Sequence, residues 1–173
     1  MIADAVKAAL VLFACAVVQS SVLGALDVLG GTPDLVLVAL VCVALLRGSI
    51  FGAVAGFWAG FLLDTATLDT LGVTALLLTV AGFWIGRYGE TTARDRTHAP
   101  FTSVLVVSVL AVIGALVLDY VLGEAAPARA AFSSLPATVV LNLILTLPVY
   151  AVARRLFPPR EAAERGREVQ LLG

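Results

Sequence analysis

The side chains able to do chemistry are few and lie far apart. Asp64 ends one apolar run and Asp119 sits about one turn inside another. There an unpaired carboxylate is disfavoured, and its short stem cannot reach far toward water. Two acids so placed admit a cation or proton relay, an ion-paired interface, or a plain position at the outer water boundary with Arg129 partnering one of them. A relay needs a second intramembrane cation or histidine, and the sequence offers none, so the boundary reading is preferred. Gln19, Ser20 and Ser21 near the end of the first run, and Asn142 inside the last, can hydrogen-bond between helices for about 0.6–2 kcal/mol each. They read as glue between helices and not as ligands. Cys15 and Cys42 each stand alone in an apolar run, as small core residues do. The single histidine, His98, lies in a polar segment, and there is no His-Glu-x-x-His, Gly-x-Ser-x-Gly or phosphate-binding loop. No enzymatic set, metal site or cofactor is expected.

Glycines form the other recurring pattern. Gly52-x-x-x-Gly56-x-x-x-Gly60 places three glycines along one helix face where another backbone can approach closely. That face either packs within the monomer, the plainer reading, or receives a partner. Ala-Gly-Phe-Trp occurs twice, at 55–58 and 81–84, too short a repeat to carry weight. Gly114 and Pro148 mark a bend or a close contact.

The elements that must position these residues are membrane spans. Of 173 residues, 61% are hydrophobic and 13% charged, against about 25% charged in soluble domains. The charges cluster between uncharged runs at 8–26, 35–46, 48–63, 70–86, 97–118 and 130–153, the segmentation a bilayer imposes. The expectation is an all-α integral membrane protein, a bundle of six short helices over about 6–26, 34–46, 49–64, 71–86, 101–122 and 136–154, forming one domain over 1–157. A short tail follows at 158–173. The first run is 19 residues long, beyond the h-region of a cleavable signal, and is read as retained.

Segments 34–46 and 49–64 are separated only by Arg47-Gly48. They read as two thin spans, a re-entrant pair or one long tilted helix. Merging them strands Arg47 at mid-membrane, at a cost of about 2.5–3.5 kcal/mol, so six spans is the better reading. Both termini are then cytoplasmic. Lys7, Arg47, Arg87, Arg94, Arg96, Arg154, Arg155, Arg160, Arg165 and Arg167 fall on that side, and Arg129 alone falls outside. The outer turns hold Asp27 to Asp34, Asp69-Thr70 and Gly123 to Leu135; the longest cytoplasmic loop runs from Arg87 to Pro100. No basic stripe survives outside the flanking loops, so nucleic acid is set aside and the partner surface is lipid.

One ordered set of short pieces carries a resemblance. Gln19-Ser20-Ser21, Pro33-Asp34-Leu35, Ala44-Leu45-Leu46-Arg47-Gly48, Gly56-Phe57-x-x-Gly60-Phe61-Leu62-Leu63-Asp64 and Leu71-Gly72 resemble the bacterial rod shape-determining MreD family over residues 19 to about 87. The resemblance implies a non-enzymatic subunit of the cell-elongation machinery in the bacterial cytoplasmic membrane. Its implied partners are the single-pass MreC, the actin-like MreB filament and the RodA/penicillin-binding-protein pair that builds peptidoglycan. Gln19, Pro33, Asp34, Arg47 and Asp64 are the polar motif positions, with Gly52, Gly56 and Gly60 as a partner-binding face. MreD-like proteins are also similar in fold to the small-molecule-binding membrane subunits of energy-coupling-factor transporters. That supplies the rival function, with Ala5-x-x-x-Ala9 as a matching docking spacing.

Overall fold

The computed structural model describes residues 2–22, 30–67, 70–93, 98–123 and 128–158. Six α-helices account for nearly all of them: α1 (Ile2–Ser21), α2 (Leu35–Arg47), α3 (Ser49–Thr67), α4 (Val73–Tyr88), α5 (Ala99–Leu122) and α6 (Ala128–Leu156). A single π-helical turn, Gly89–Ala93, extends α4. Asp27, Asp69, Arg94, Arg96, Pro127 and nearly all of the expected tail lie outside the described residues.

The centre of the bundle is α2. All nine residues from Val36 to Ala44 are buried, on every face of the helix. A helix that is apolar all round has no solvent face to keep, and here the neighbouring helices enclose it. Leu12 and Ala16 of α1, Ala59 and Leu63 of α3, Leu78 and Ile85 of α4, Val104 and Val107 of α5 and Ala153 of α6 close around it. The outer helices turn large apolar side chains outward as well, among them Leu10, Phe13, Val54, Trp84, Leu110, Val117, Ile144 and Leu147. Apolar surface this extensive around a bundle marks contact with a non-aqueous medium. Four helices, α1, α3, α5 and α6, are long and apolar enough to cross a membrane.

The other two are short. The 13 residues of α2 and 16 of α4 rise about 20 and 24 Å, less than the ~30 Å of hydrocarbon. The merged-helix reading of 34–64 is overturned, because Gly48 breaks the chain with φ 97°, a left-handed value that glycine adopts without steric cost. The last helix also departs from expectation. It starts at Ala128, not near 136, and holds both Pro136 and Pro148 internally. Proline at 136 reads naturally as a helix start, but the Ala-rich stretch before it is a strong helix former and carries the helix back a further two turns. The Arg87–Pro100 loop is likewise shorter than expected, since helical structure continues to Ala93 and resumes at Ala99.

The helices α3 and α4 form an antiparallel hairpin with a glycine seam. A Cβ on Gly52 would collide with the carbonyl oxygen of Gly82, one on Gly56 with that of Leu78, and one on Gly60 with the backbone of Ala75. Gly86 lies in the same way against Gly48, and Gly89 against Leu45. The plainer reading of this face is the one the geometry fits: Gly52, Gly56 and Gly60 pack against α4 of the same chain, and the alternative, a groove there for a partner helix, is corrected because α4 already fills it. The matching signal, Gly82-x-x-x-Gly86, was in the sequence on α4. Both Ala-Gly-Phe-Trp copies follow this geometry, with Gly56 and Gly82 in the seam and Phe57, Trp58, Phe83 and Trp84 exposed.

Replacing Gly56 with Leu should open the hairpin, because the obstacle is backbone and overpacking costs at least about 1–3 kcal/mol. Thermal unfolding in detergent should show a clear loss for Gly56→Leu and little change for Val54→Leu on the outward face; equal behaviour of the two would refute the seam.

Candidate functional site

The polar residues singled out in the sequence converge on the starts of helices. A helix leaves its first four N–H groups without internal partners, and in an apolar medium each unsatisfied group is costly. At α2 three side chains meet that demand. Asp34, the N-cap, accepts from the Leu37 N–H at 2.9 Å. Gln19 of α1 accepts from the Val36 N–H at 2.8 Å. Asn142 of α6 accepts from the Asp34 N–H at 2.8 Å. The Asn142 amide in turn donates to Ser108 of α5 at 3.0 Å, and Thr146 donates to the Asn142 carbonyl at 2.7 Å. Side chains of α1, α5 and α6 thus lock the start of the central helix. Pro33 is buried just before it, and a Cβ on neighbouring Gly31 would meet the α6 backbone at Thr138 N, 2.6 Å away.

The starts of α3 and α4 use one device twice. Each follows a glycine of positive φ, Gly48 at 97° and Gly72 at 100°, and glycine has no side chain with which to cap. A carboxylate from elsewhere in the hairpin supplies the cap. Asp64, at the end of α3 and 1% exposed, accepts from the N–H groups of Gly72 (2.8 Å), Thr74 (3.2 Å) and Ala75 (3.3 Å) at the start of α4. Glu90, in the π turn after α4, accepts from the Ser49 N–H at 2.8 Å and the Ser49 hydroxyl at 3.1 Å at the start of α3. Carboxylates are favoured there because N–H groups and the helix dipole both present positive charge.

The boundary reading of Asp64 is corrected by this geometry. Asp64 is buried, and its partners are backbone donors. Among the described residues the ion pairs are Arg47–Asp4 and Arg87–Glu90, so Arg129 partners neither candidate acid. Asp119 stays half-exposed in the last turn of α5, apart from the cluster. Cys15 and Cys42 are free thiols, the latter buried in the core. Sequence reasoning missed Glu90 and Ser108, which stand in no motif; the usable clue for Glu90 was a glycine helix start, Gly48, facing the end of α4.

Arg47, which the sequence places between two segments on the cytoplasmic side, is nearly enclosed: only 9% of its side chain is exposed, and the guanidinium pairs with Asp4 at 3.0 Å and lies 5.3 Å from the Phe157 ring centroid. Those contacts tie the start of α1, the end of α2 and the end of α6 together. Lys7, Arg47, Arg87, Arg154 and Arg155 thereby share one end of the bundle, and Gln19, Asp34 and Asp64 lie toward the other.

The fold and the site together define a multi-pass helical membrane protein whose buried polar side chains serve its own backbone. No curated protein and no solved structure gives a significant match. The sequence profile of the rod shape-determining protein MreD family matches residues 5–158. That match spans nearly the whole chain, and the chain belongs to the MreD family.

Removing the Asp64 carboxylate should leave three donors unpaired, at about 1–3 kcal/mol for each buried group. Thermal unfolding should rank wild type above Asp64→Asn, which keeps one acceptor oxygen, and Asp64→Asn above Asp64→Ala; equal stabilities would contradict the capping role. Glu90 adds a pH signature. The Ser49 N–H, and to a lesser extent the Ser49 hydroxyl and Arg87, hold its carboxyl below the ordinary value of 4.5. A lowered folded-state pKa gives stability that is complete above that ordinary value and is lost as pH falls through the folded one. Unfolding midpoints measured from pH 6 downward should therefore drop for wild type in that acidic window and drop less for Glu90→Gln.

Proposed function

We propose that the protein is a non-enzymatic membrane scaffold of the bacterial cell-elongation machinery, acting in peptidoglycan synthesis in the cytoplasmic membrane by holding an MreC-like single-pass protein through transmembrane helices. Membership of a shape-determining family gives the setting. The observation that carries the reading is the commitment of Gln19, Asp34, Asp64, Glu90 and Asn142 to backbone capping and interhelical bonds. Those polar groups are occupied in holding the bundle together, which suits a scaffold. The RodA/penicillin-binding-protein pair and MreB are then reached through the assembled complex.

The glycine seam is internal, so the partner helix must use an outward face. Phe57, Trp58 and Phe61 make one: they project from the middle of α3, are 47, 59 and 40% exposed, and pack edge-on or stacked with ring centroids 5.8–6.3 Å apart. Tryptophan favours the membrane–water interface over mid-depth, so a mid-helix aromatic ridge fits a protein partner better than bare lipid. Six helices with the arginine-bearing end in the cytoplasm follow the positive-inside rule. A solute-binding role of the transporter type would need convergent free polar groups in a cavity, and the polar groups at the starts of α2 and α4 are already paired.

Co-purification from detergent tests the scaffold. An MreC-like protein should be recovered with wild type and largely lost with Phe57→Ala/Trp58→Ala, while insertion and unfolding temperature stay near wild type. Undiminished recovery would exclude the ridge, and no recovery with wild type would exclude the scaffold reading itself.

A further inference from the structure

An apolar groove of about 190 Å³ opens on the side of the bundle between α1 and α6. Both helices pack on α2 and scarcely on each other. Val43 of α2 forms the floor, Val11 and Cys15 of α1 one wall, and Val152 and Leu156 of α6 the other. The walls carry no charge, but the end of the groove is basic. Lys7 precedes Val11 by one helical turn on the same stripe, and Arg155 follows Val152 by three residues; both are exposed. Asp4, the acid nearest Lys7 in sequence, is engaged by Arg47.

We propose that this groove binds one acyl chain of an anionic glycerophospholipid whose phosphate rests against Lys7 and Arg155. Size favours a lipid chain. An apolar cavity of about 150 Å³ takes a benzene-sized molecule, so this one takes a short run of methylenes. A helix about 10–12 Å across cannot enter it. Charge favours an anionic headgroup, since basic side chains at a membrane surface attract acidic lipid. The site lies between helices joined mainly through α2, so a resident lipid would also brace α1 against α6.

Native mass spectrometry of the full-length protein, with equal amounts of phosphatidylglycerol and phosphatidylcholine bearing the same acyl chains, tests this directly. Wild type should retain one phosphatidylglycerol in preference, and Lys7→Gln and Arg155→Gln should each lower that preference about fivefold. Val152→Trp, at an exposed position of one wall, and Cys15→Phe on the other should reduce retention of both lipids. Equal retention of the two lipids by wild type, or an unchanged preference in the charge variants, would overturn the proposal. Unchanged lipid retention in both wall variants, together with loss of a co-purifying single-pass protein, would assign the groove to a partner side chain and equally overturn it.

Discussion

The fold depends on satisfying backbone N–H groups at the starts of short helices in surroundings that offer little water. An apolar medium supplies no alternative partner, and the starts of α2, α3 and α4 find their acceptors within the protein. In α2 the acceptors come from Asp34 itself, Gln19 and Asn142. In α3 and α4 the tight connections require glycine at positive φ, which removes the local cap and calls for Glu90 and Asp64 from across the hairpin. Each cap is also a tertiary contact. One set of bonds therefore ends the helices and fixes how they sit against one another.

That arrangement shapes the rest of the molecule. A helix of 13 residues can occupy the centre only if longer helices surround it and its start is sealed, and both conditions are met. With α2 enclosed and α3–α4 zipped through glycines, the inner faces are used up. The aromatic ridge of α3 and the lateral groove between α1 and α6 are what the bundle offers to its surroundings. In the proposed scaffold, function resides in outward helix faces held rigid by inward polar bonds.

Much of this was legible in the sequence. Hydropathy and charge segmentation gave the helical membrane class, and the Gly-x-x-x-Gly spacing gave close helix packing. The resemblance residues Gln19, Pro33, Asp34, Arg47 and Asp64 all fall at helix ends, four of them in hydrogen bonds or an ion pair. What the pattern did not carry was pairing. Spacing along one helix shows that a neighbour approaches, but not that Gly82 and Gly86 supply it. An aspartate at the end of an apolar run has the same sequence whether it faces water or the N–H groups of the next helix, so Asp64 was placed at the boundary. The start of α6 was misplaced because Pro136 resembles a first-turn proline, and only tertiary packing decides whether the helix continues behind it. Nothing local to Arg47 announces Asp4 or Phe157 beside it.

Hydrogen–deuterium exchange at the first turn of α2 probes the capping directly. In detergent-solubilised wild type the Val36 and Leu37 amides should exchange slowly, as those of the helix interior do. In the double variant Gln19→Leu/Asp34→Ala, which removes the acceptors of both amides, they should exchange many times faster, while Leu40 to Val43 stay protected. Equal protection of Val36 and Leu37 in the two proteins would contradict the account.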